Sequence, residues 1–350
     1  MRDVFIAGRA IGPSHPPFVI AEMSGNHNHS IERALEIVDA AAAAGAHAIK
    51  LQTYTADTIT LDTDAPGFTI DDPGSLWNGR RLHELYDDAH TPWEWHAAIF
   101  ARGAKRGLIV FSTPFDDTAV DFLEDLDAPC HKIASFENID LPLIRRVART
   151  GKPIIMSTGM ASEAEIAEAV AAIRGEGNEQ IILLKCTSTY PARPIDTNLR
   201  TIADLRERFG CQVGLSDHTL GTAVSVASVA LGATVIEKHF TLARADGGVD
   251  SAFSLEPSEF TALVTDSHTA WEALGEVSYG PTEKELASLQ FRRSLYVAED
   301  IAVGEELTPR NVRSVRPGMG LAPKHYDEVL GRRAAKDLGK GTPLSWDVLA

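Results

Sequence analysis

The sequence predicts an α/β fold, a (β/α)8 barrel of the TIM type followed by a small β-rich second domain. Three observations predict it. Eight short, continuously apolar runs recur along roughly the first 240 residues. Helix-length stretches lie between most of them, which is the β–α alternation of a parallel sheet. After about residue 280 the spacing collapses into short segments punctuated by glycine and proline.

The eight runs are Phe18–Met23, His47–Thr53, Leu108–Pro114, His131–Ser135, Pro153–Gly159, Ile181–Thr187, Gln212–His218 and Thr234–Phe240. Each is too short for a helix and too apolar for a strand with one wet face, so each reads as a parallel strand buried on both sides. The helices expected between them are Ile31–Ala44, Trp93–Arg106, Asp117–Leu126, Leu141–Thr150, Glu163–Arg174, Asn198–Phe209 and Thr222–Leu231. Gly45 follows the first as a C-cap. Ser162 and Glu165 open the fifth as a capping box. The insert Ala56–Thr91 has no clear period and is expected to be a decorated loop over the barrel mouth. An open doubly wound sheet is the alternative fold. It would carry a Gly-rich turn after its first strand, and Glu22-Met23-Ser24-Gly25-Asn26-His27-Asn28 is not one. The catalytic domain is expected over residues 1–280 and the second domain over 281–350, with a linker at about 275–290. Arg293–Val297 and Arg313–Arg316 read as strands of the second domain and Pro323–Leu330 as a helix.

The composition narrows the function. The 350 residues carry 33 Lys and Arg against 49 Asp and Glu, a net charge of −16, so a general nucleic-acid-binding surface is not expected. The small tail is slightly basic, and the acidic excess lies in the body. No uninterrupted apolar stretch reaches membrane-spanning length, and the N-terminus lacks the apolar core of a secretory leader. Cys130, Cys186 and Cys211 lack metal-type spacing. A reducing, cytoplasmic setting is expected.

In such a barrel the active site lies at the C-terminal ends of the strands. Polar residues collect there in every run: Glu22 with Asn26-His27-Asn28; Lys50 and Gln52; Ser112-Thr113; Lys132, Ser135 and Glu137; Ser157-Thr158; Lys185, Ser188 and Tyr190; Ser216-Asp217-His218; Glu237-Lys238-His239. One serine after a strand is usually a helix cap, but eight coincidences point to a site. Three groupings follow. His218 and His239 end adjacent strands and suit an open divalent-metal site. Lys50 and Lys132, with Ser135, Ser157, Ser188 and Ser216, make a cationic, donor-rich pocket suited to a phosphate and a carboxylate, unless Glu22, Glu137 or Glu237 pair internally with the lysines. Glu22, Glu137 and Asp250 are candidates to move protons or hold hydroxyls, and the residues do not separate those roles. A Schiff-base aldolase using Lys132 or Lys185 is a competing reading that leaves both histidines without a task.

At these residues the sequence resembles the sialic acid synthase family, the phosphoenolpyruvate-condensing type. The match runs through Ala21-Glu22, Asn26-His27, Lys50-Leu51-Gln52-Thr53, Lys132-Ile133-Ala134-Ser135-Phe136-Glu137, Ser157-Thr158-Gly159-Met160, Gly214-Leu215-Ser216-Asp217-His218-Thr219, Ile236-Glu237-Lys238-His239-Phe240 and Arg316-Pro317-Gly318. The tail resembles the antifreeze-like (SAF) domain that closes this family. Ser24-Gly25-Asn26-His27-Asn28, Ser75-Leu76-Trp77, Thr91-Pro92-Trp93-Glu94-Trp95-His96 and Asp250 through Pro257 are most similar to the pseudaminic acid branch.

The resemblance implies a transferase. It condenses phosphoenolpyruvate with the open-chain aldehyde of an N-acetylated amino sugar and water, with C–O cleavage releasing phosphate. For the pseudaminic branch the acceptor is 2,4-diacetamido-2,4,6-trideoxy-L-altrose. The neuraminate and legionaminate branches, which take mannose-configured acceptors, are the alternative. It also implies a divalent ion, Mg or Mn, on His218 and His239. Glu22, Glu137 and Lys132 would be catalytic. Lys50, Gln52, Thr113, Ser135, Ser157, Ser188, Tyr190, Ser216, Asp250 and Arg316 would bind substrate, with Arg316 reaching the site of a partner chain in a domain-swapped homodimer. Three positions depart from the pattern. Ser188 stands where a relative has asparagine, Val249 where a proline is common and Arg293 where some relatives have an aromatic residue.

Overall fold

Eight parallel strands close into a barrel in the computed structural model, which describes residues 2–350. An antiparallel hairpin of β1 (Val4–Ile6) and β2 (Arg9–Ile11) precedes it. The barrel strands are β3 (Phe18–Glu22), β4 (Ala48–Thr53), β5 (Ile109–Pro114), β6 (His131–Ile133), β7 (Ile154–Ser157), β8 (Ile181–Cys186), β9 (Gln212–Asp217) and β10 (Val235–His239). They pair in sequence order, and β10 closes the ring on β3 with His239 level with Glu22. All eight lie where the apolar runs place them.

Side chains alternate faces along a strand, so each strand divides into two ladders. The outward ladder is apolar and packs under the helices: Val19, Ile49, Val110, Ile133, Met156, Leu183, Val213 and Ile236 are all buried there. The inward ladder changes character along its length. Phe18 and Ile20 give way to Glu22, Ala48 to Lys50 and Gln52, Phe111 to Thr113, Ile155 to Ser157, and Val235 to Glu237 and His239. The barrel is therefore filled with hydrocarbon at its N-terminal end and polar at its C-terminal end. Val4, Ile6 and Ile11 of the hairpin join the interior apolar cluster and close that end. Gly214 of β9 is required by close approach, since a Cβ there would collide with the Val235 carbonyl.

The helices are α1 (Ile31–Ala43), α2 (Ala56–Ile59), α3 (Leu82–Ala89), α4 (Trp93–Arg106), α5 (Asp117–Asp125), α6 (Leu141–Ala148), α7 (Glu163–Gly175), α8 (Thr201–Phe209), α9 (Ala223–Ala230) and α10 (Pro257–Leu274). Ser162 and Glu165 form the expected box at the start of α7: the Glu165 carboxylate accepts from the Ser162 amide at 2.7 Å. Three features differ from the expectation. The insert is not all loop, because α2 and α3 form within it. The sequence reading named no helix after the eighth strand, yet α10 is the longest in the fold; Pro257 at its first turn and Glu259 as a capping partner were its signals. The short hairpin also carried too few residues to show a period.

Two outward-facing polar residues break the apolar ladder and satisfy each other. Lys238 Nζ lies 2.8 Å from Asp217 Oδ2, both fully buried. Ser225 Oγ donates to the same carboxylate at 2.5 Å, and the Thr219 amide donates to its other oxygen at 2.8 Å. The pair ties β9 to β10 one residue before each strand-end histidine. Removing one partner strands a buried charge and is expected to cost about 3–5 kcal/mol. Asp217→Ala therefore lowers the urea midpoint sharply, and the apolar double variant Asp217→Leu/Lys238→Met recovers most of the loss. Equal midpoints for the wild type and Asp217→Ala would contradict this.

The contacts divide the chain into two units, one ending at Gly275 and one running from Glu276 to Ala350. In the second unit β11 (Ser294–Val297) pairs antiparallel with β12 (Val312–Val315), and a helical stretch, Pro323–Val329, follows. Leu295, Val297, Ile301, Leu307, Val312, Val329, Leu338 and Leu344 form its core. Glu283–Phe291, expected as linker, is a 3-10 helix. Among the described residues no helix is long and apolar enough to cross a membrane.

Candidate active site

The polar end of the barrel holds three layers of side chains. The deepest is a set of four charges. Lys50 Nζ lies 2.6 Å from Glu22 Oε2 and 3.8 Å from Glu237 Oε2, and Lys132 Nζ lies 4.0 Å from Glu237 Oε1. All four are buried. Lys132 donates to Ser157 Oγ at 2.7 Å, Ser216 Oγ to Glu237 at 3.0 Å, and Gln52 Nε2 to Glu22 at 3.0 Å. Thr113 Oγ1 lies 3.4 Å from the Lys50 ammonium. Burial, reinforced by the Glu237 carboxylate, holds Glu22 above the ordinary carboxylate range despite Lys50. Burial also pulls Lys132 below an ordinary lysine. The two lysines thus pair with Glu22 and Glu237, not with Glu137.

A hydroxyl cradle adjoins this set. The Gly159 amide donates to Ser135 Oγ at 3.1 Å, and a Cβ at Gly159 would run into Ser188 Oγ and lie 2.6 Å from Ser135 Oγ. Only glycine lets both hydroxyls close on that point. Asn138 holds the turn by donating to the Gly159 carbonyl at 3.2 Å. Met160, next along, has a left-handed backbone (φ 64°), as do Ser24 (φ 47°) and Asn28 (φ 48°) on the loop after β3, so strain gathers at the mouth.

The third layer is aromatic. The His218 and His239 rings lie 5.4 Å apart at 62°. Tyr190 packs on His218 at 4.3 Å and Phe253 on His239 at 4.9 Å. His218 Nδ1 lies 2.9 Å from the Thr187 carbonyl, which only accepts, so Nδ1 carries a proton. Burial opposes a charge on this ring, but Cys186, the Thr187 carbonyl and Glu237 raise its pKa above that of an ordinary histidine. Burial, with His218 and Lys50 nearby, holds His239 neutral, and its Nδ1 is buried without a hydrogen-bond partner. Each ring leaves a nitrogen outside any hydrogen bond, and that donor pair fits a divalent ion. Among the described residues no group of three His, Cys, Asp or Glu side chains forms a closed metal site. Water or substrate oxygens would fill the remaining positions.

Asp250 is buried beside this pair, its Oδ2 3.9 Å from His239 Nδ1 and bonded by Ser24 Oγ. Burial raises its pKa, although Ser24 opposes the shift. Glu137 stands apart from the charge set. Burial pushes it up to about 7 against the nearby Lys132 ammonium, and its Oε2 is buried without a partner. Arg316 lies in the second unit, exposed just after β12.

Among the predicted residues of the barrel unit, the structure brings together Glu22, Lys50, Gln52, Thr113, Lys132, Ser157 and Ser216, then Ser135 with Ser188, then Tyr190, His218, His239 and Asp250. Sequence reasoning placed Glu237 among the strand-end polar residues and as a possible partner of the lysines, but not among the catalytic or binding residues. It also missed Phe253, Ser24, Asn138 and Cys186. Burial opposes ionisation of the Cys186 thiol, but His218, Ser135 and Lys132 bring it down to about 6. Its position inside an apolar strand gave no sign of that.

The NeuB family model matches residues 37–279, and the SAF domain model matches 292–350. The chain is 47% identical to pseudaminic acid synthase of Campylobacter jejuni over 93% of this chain and 95% of that protein. It is 44% identical to pseudaminic acid synthase of Helicobacter pylori over 95% of this chain and 97% of that one. N,N'-diacetyllegionaminic acid synthase of Legionella pneumophila matches at 34% over 96% and 95%. Among solved structures, an N-acetylneuraminic acid synthetase from Leptospira borgpetersenii superposes with a TM-score of 0.74 at 30% identity, covering 83% of this chain and 96% of that one.

Proposed function

Because this chain belongs to the NeuB family, with a SAF domain at its C-terminal end, we propose that it catalyses the pseudaminic acid synthase reaction. Phosphoenolpyruvate, 2,4-diacetamido-2,4,6-trideoxy-L-altrose and water give pseudaminic acid and phosphate. The observation that carries the reading is an imidazole pair at the barrel mouth above a lysine and serine pocket. One half suits an aldehyde and the other an enol phosphate.

Lys50 and Lys132 hold the carboxylate and phosphate of phosphoenolpyruvate, and Ser135, Ser157, Ser188 and Ser216 donate to its oxygens. Glu22 and Glu237 keep the lysines charged and placed until the anion arrives. His218 and His239 would hold a divalent ion, Mg or Mn, which would supply Lewis-acid polarisation of the acceptor carbonyl. Asp250, Gln52 and Tyr190 orient the sugar. The enol C3 bonds to the aldehyde carbon, water adds at C2, and the C2–O bond to phosphate breaks. Glu137, half protonated near pH 7, and Glu22 serve the proton transfers. Three free, buried cysteines support a reducing cytoplasmic setting.

The test is phosphate release with phosphoenolpyruvate and altrose-, glucose- or mannose-configured diacetamido acceptors, with and without a chelator. The altrose acceptor is expected to be fastest, and rigorous metal removal is expected to abolish turnover. Full activity without metal overturns the reading.

The protein is further proposed to be a domain-swapped homodimer, with Arg316 serving the partner's barrel. Support comes from exposed apolar residues on the loops after four consecutive strands, Phe136, Met160, Ile195 and Leu220, an uncovered rim around the mouth. Arg316→Ala and His218→Asn are each expected to be inactive alone. Unfolded and refolded together they form mixed dimers with one intact site, and activity returns. No return after mixing contradicts the swap.

A further inference from the structure

A cavity of about 590 Å³ opens beside the third layer and has no task in the chemistry above. Its walls come from the loop after β3, the insert and the loop after β10. Leu76, Trp77 and Val249 form the apolar side, and Gly25 and Gly248 form a flat floor. Both positions are tight for a side chain, and Gly248 has a positive φ of 123° that favours glycine. A Cβ at Gly25 would lie 3.2 Å from the Ala89 carbonyl and from Val249 Cγ2, and one at Gly248 would lie 2.5 Å from Asn28 Oδ1.

The walls of the cavity touch the residues of the reaction centre. Trp77 lies 5.8 Å ring to ring from Tyr190, which lies 4.3 Å from His218. Trp77 Nε1 donates to the Val249 carbonyl at 3.1 Å, next to Asp250. Gly25 follows Ser24, whose hydroxyl bonds Asp250. An acceptor with its aldehyde at the histidines and its hydroxyls on Asp250 therefore sends its outer carbons past Trp77 into this space.

The chemistry of the walls says what fits. The charged residues at the rim pair among themselves: Arg80 with Asp88, and His29 4.0 Å from Asp88. The occupant is therefore neutral. Asn28, His29, Arg80 and Asp88 line one side, but against the indole, leucine and valine of the other a hydroxyl would lose water without gaining a partner. Methyl groups would not.

Building on the proposed activity, we propose that this cavity is the subsite for the outer acetamido group and terminal methyl of the acceptor, and that Trp77 and Leu76 select a diacetamido-trideoxy sugar over a polyhydroxylated N-acetylhexosamine.

The test compares kcat/KM for 2,4-diacetamido-2,4,6-trideoxy-L-altrose and for N-acetylmannosamine by phosphate release. Ala252 is exposed on the same wall, so Ala252→Trp fills the space without touching the core. Ala252→Trp and Trp77→Ala are each expected to lower the ratio of the two kcat/KM values by about tenfold or more, through KM for the diacetamido acceptor. Saturation-transfer NMR on the wild type is expected to show the outer acetamido methyl and the terminal methyl as the most strongly saturated protons, and Ala252→Trp is expected to erase that pattern. Pocket variants that treat both acceptors alike, in a wild type that turns over the diacetamido sugar, overturn this inference and leave the activity standing. A wild type that uses only N-acetylmannosamine overturns both. A wild type that turns over neither sugar counts against the activity alone; the NMR pattern then decides the subsite.

Discussion

Replacing His218 or His239 with asparagine is expected to lower kcat by about three orders of magnitude. Carbonyl polarisation by a bound divalent ion is worth several kcal/mol in the transition state, and each 1.36 kcal/mol is about tenfold in rate. The two rings have no structural partner that would replace this role. His218 spends one nitrogen on the Thr187 carbonyl, and His239 Nδ1 has no hydrogen bond. The check has two arms. Phosphate release reads the chemistry, and calorimetric titration with Mn²⁺ reads ion uptake with no substrate present. Both are expected to fail in each variant while circular dichroism stays that of the wild type. A variant that binds the ion as tightly as the wild type removes the histidines from the metal site.

Glu137→Gln is the second large effect, with turnover expected to fall about a hundredfold or more. The wild-type pH–rate profile is expected to show an ionisation near 7, where burial places this carboxyl, and the variant to lack it. Stability falls as pH rises across the same range. The folded group binds its proton more tightly than a free glutamate at 4.5, so its contribution is complete below that pH and is lost as pH rises through 7. The loss is less than about 3 kcal/mol, because the residue is only half-buried and water screens part of it. Thermal melts at pH 5 and pH 8 decide the matter. The gap in Tm between the two pH values is expected to be smaller in Glu137→Gln than in the wild type. An equal gap in both means that Glu137 is not held protonated.

Much of this architecture could be read from residues alone, for a definite reason. A parallel strand covered on both faces must be apolar throughout, so each of the eight announced itself as an unbroken run. Its polar C-terminal end was equally visible, because Lys50, Lys132 and Glu237 interrupt runs of Ile, Val and Leu. What escaped depended on contacts across space. α3 is a short helix with one fully buried residue, Leu85, too little to give a period. The pairing of the lysines with Glu22 and Glu237, and not Glu137, follows from strand register, which spacing along the chain does not encode. Trp77 lies 113 positions before Tyr190, and nothing local to either announces that they meet.

The β1–β2 hairpin has a kinetic corollary. A vessel stoppered at its base has one doorway, so everything that enters must leave by the way it came. On the proposed chemistry the enol phosphate sits on the floor and the sugar above it. Filling is then ordered, floor first, and a dead-end analogue of the upper reactant bars the lower one from escaping. Initial-rate patterns therefore carry the imprint of three small aliphatic residues at the opposite pole of the molecule.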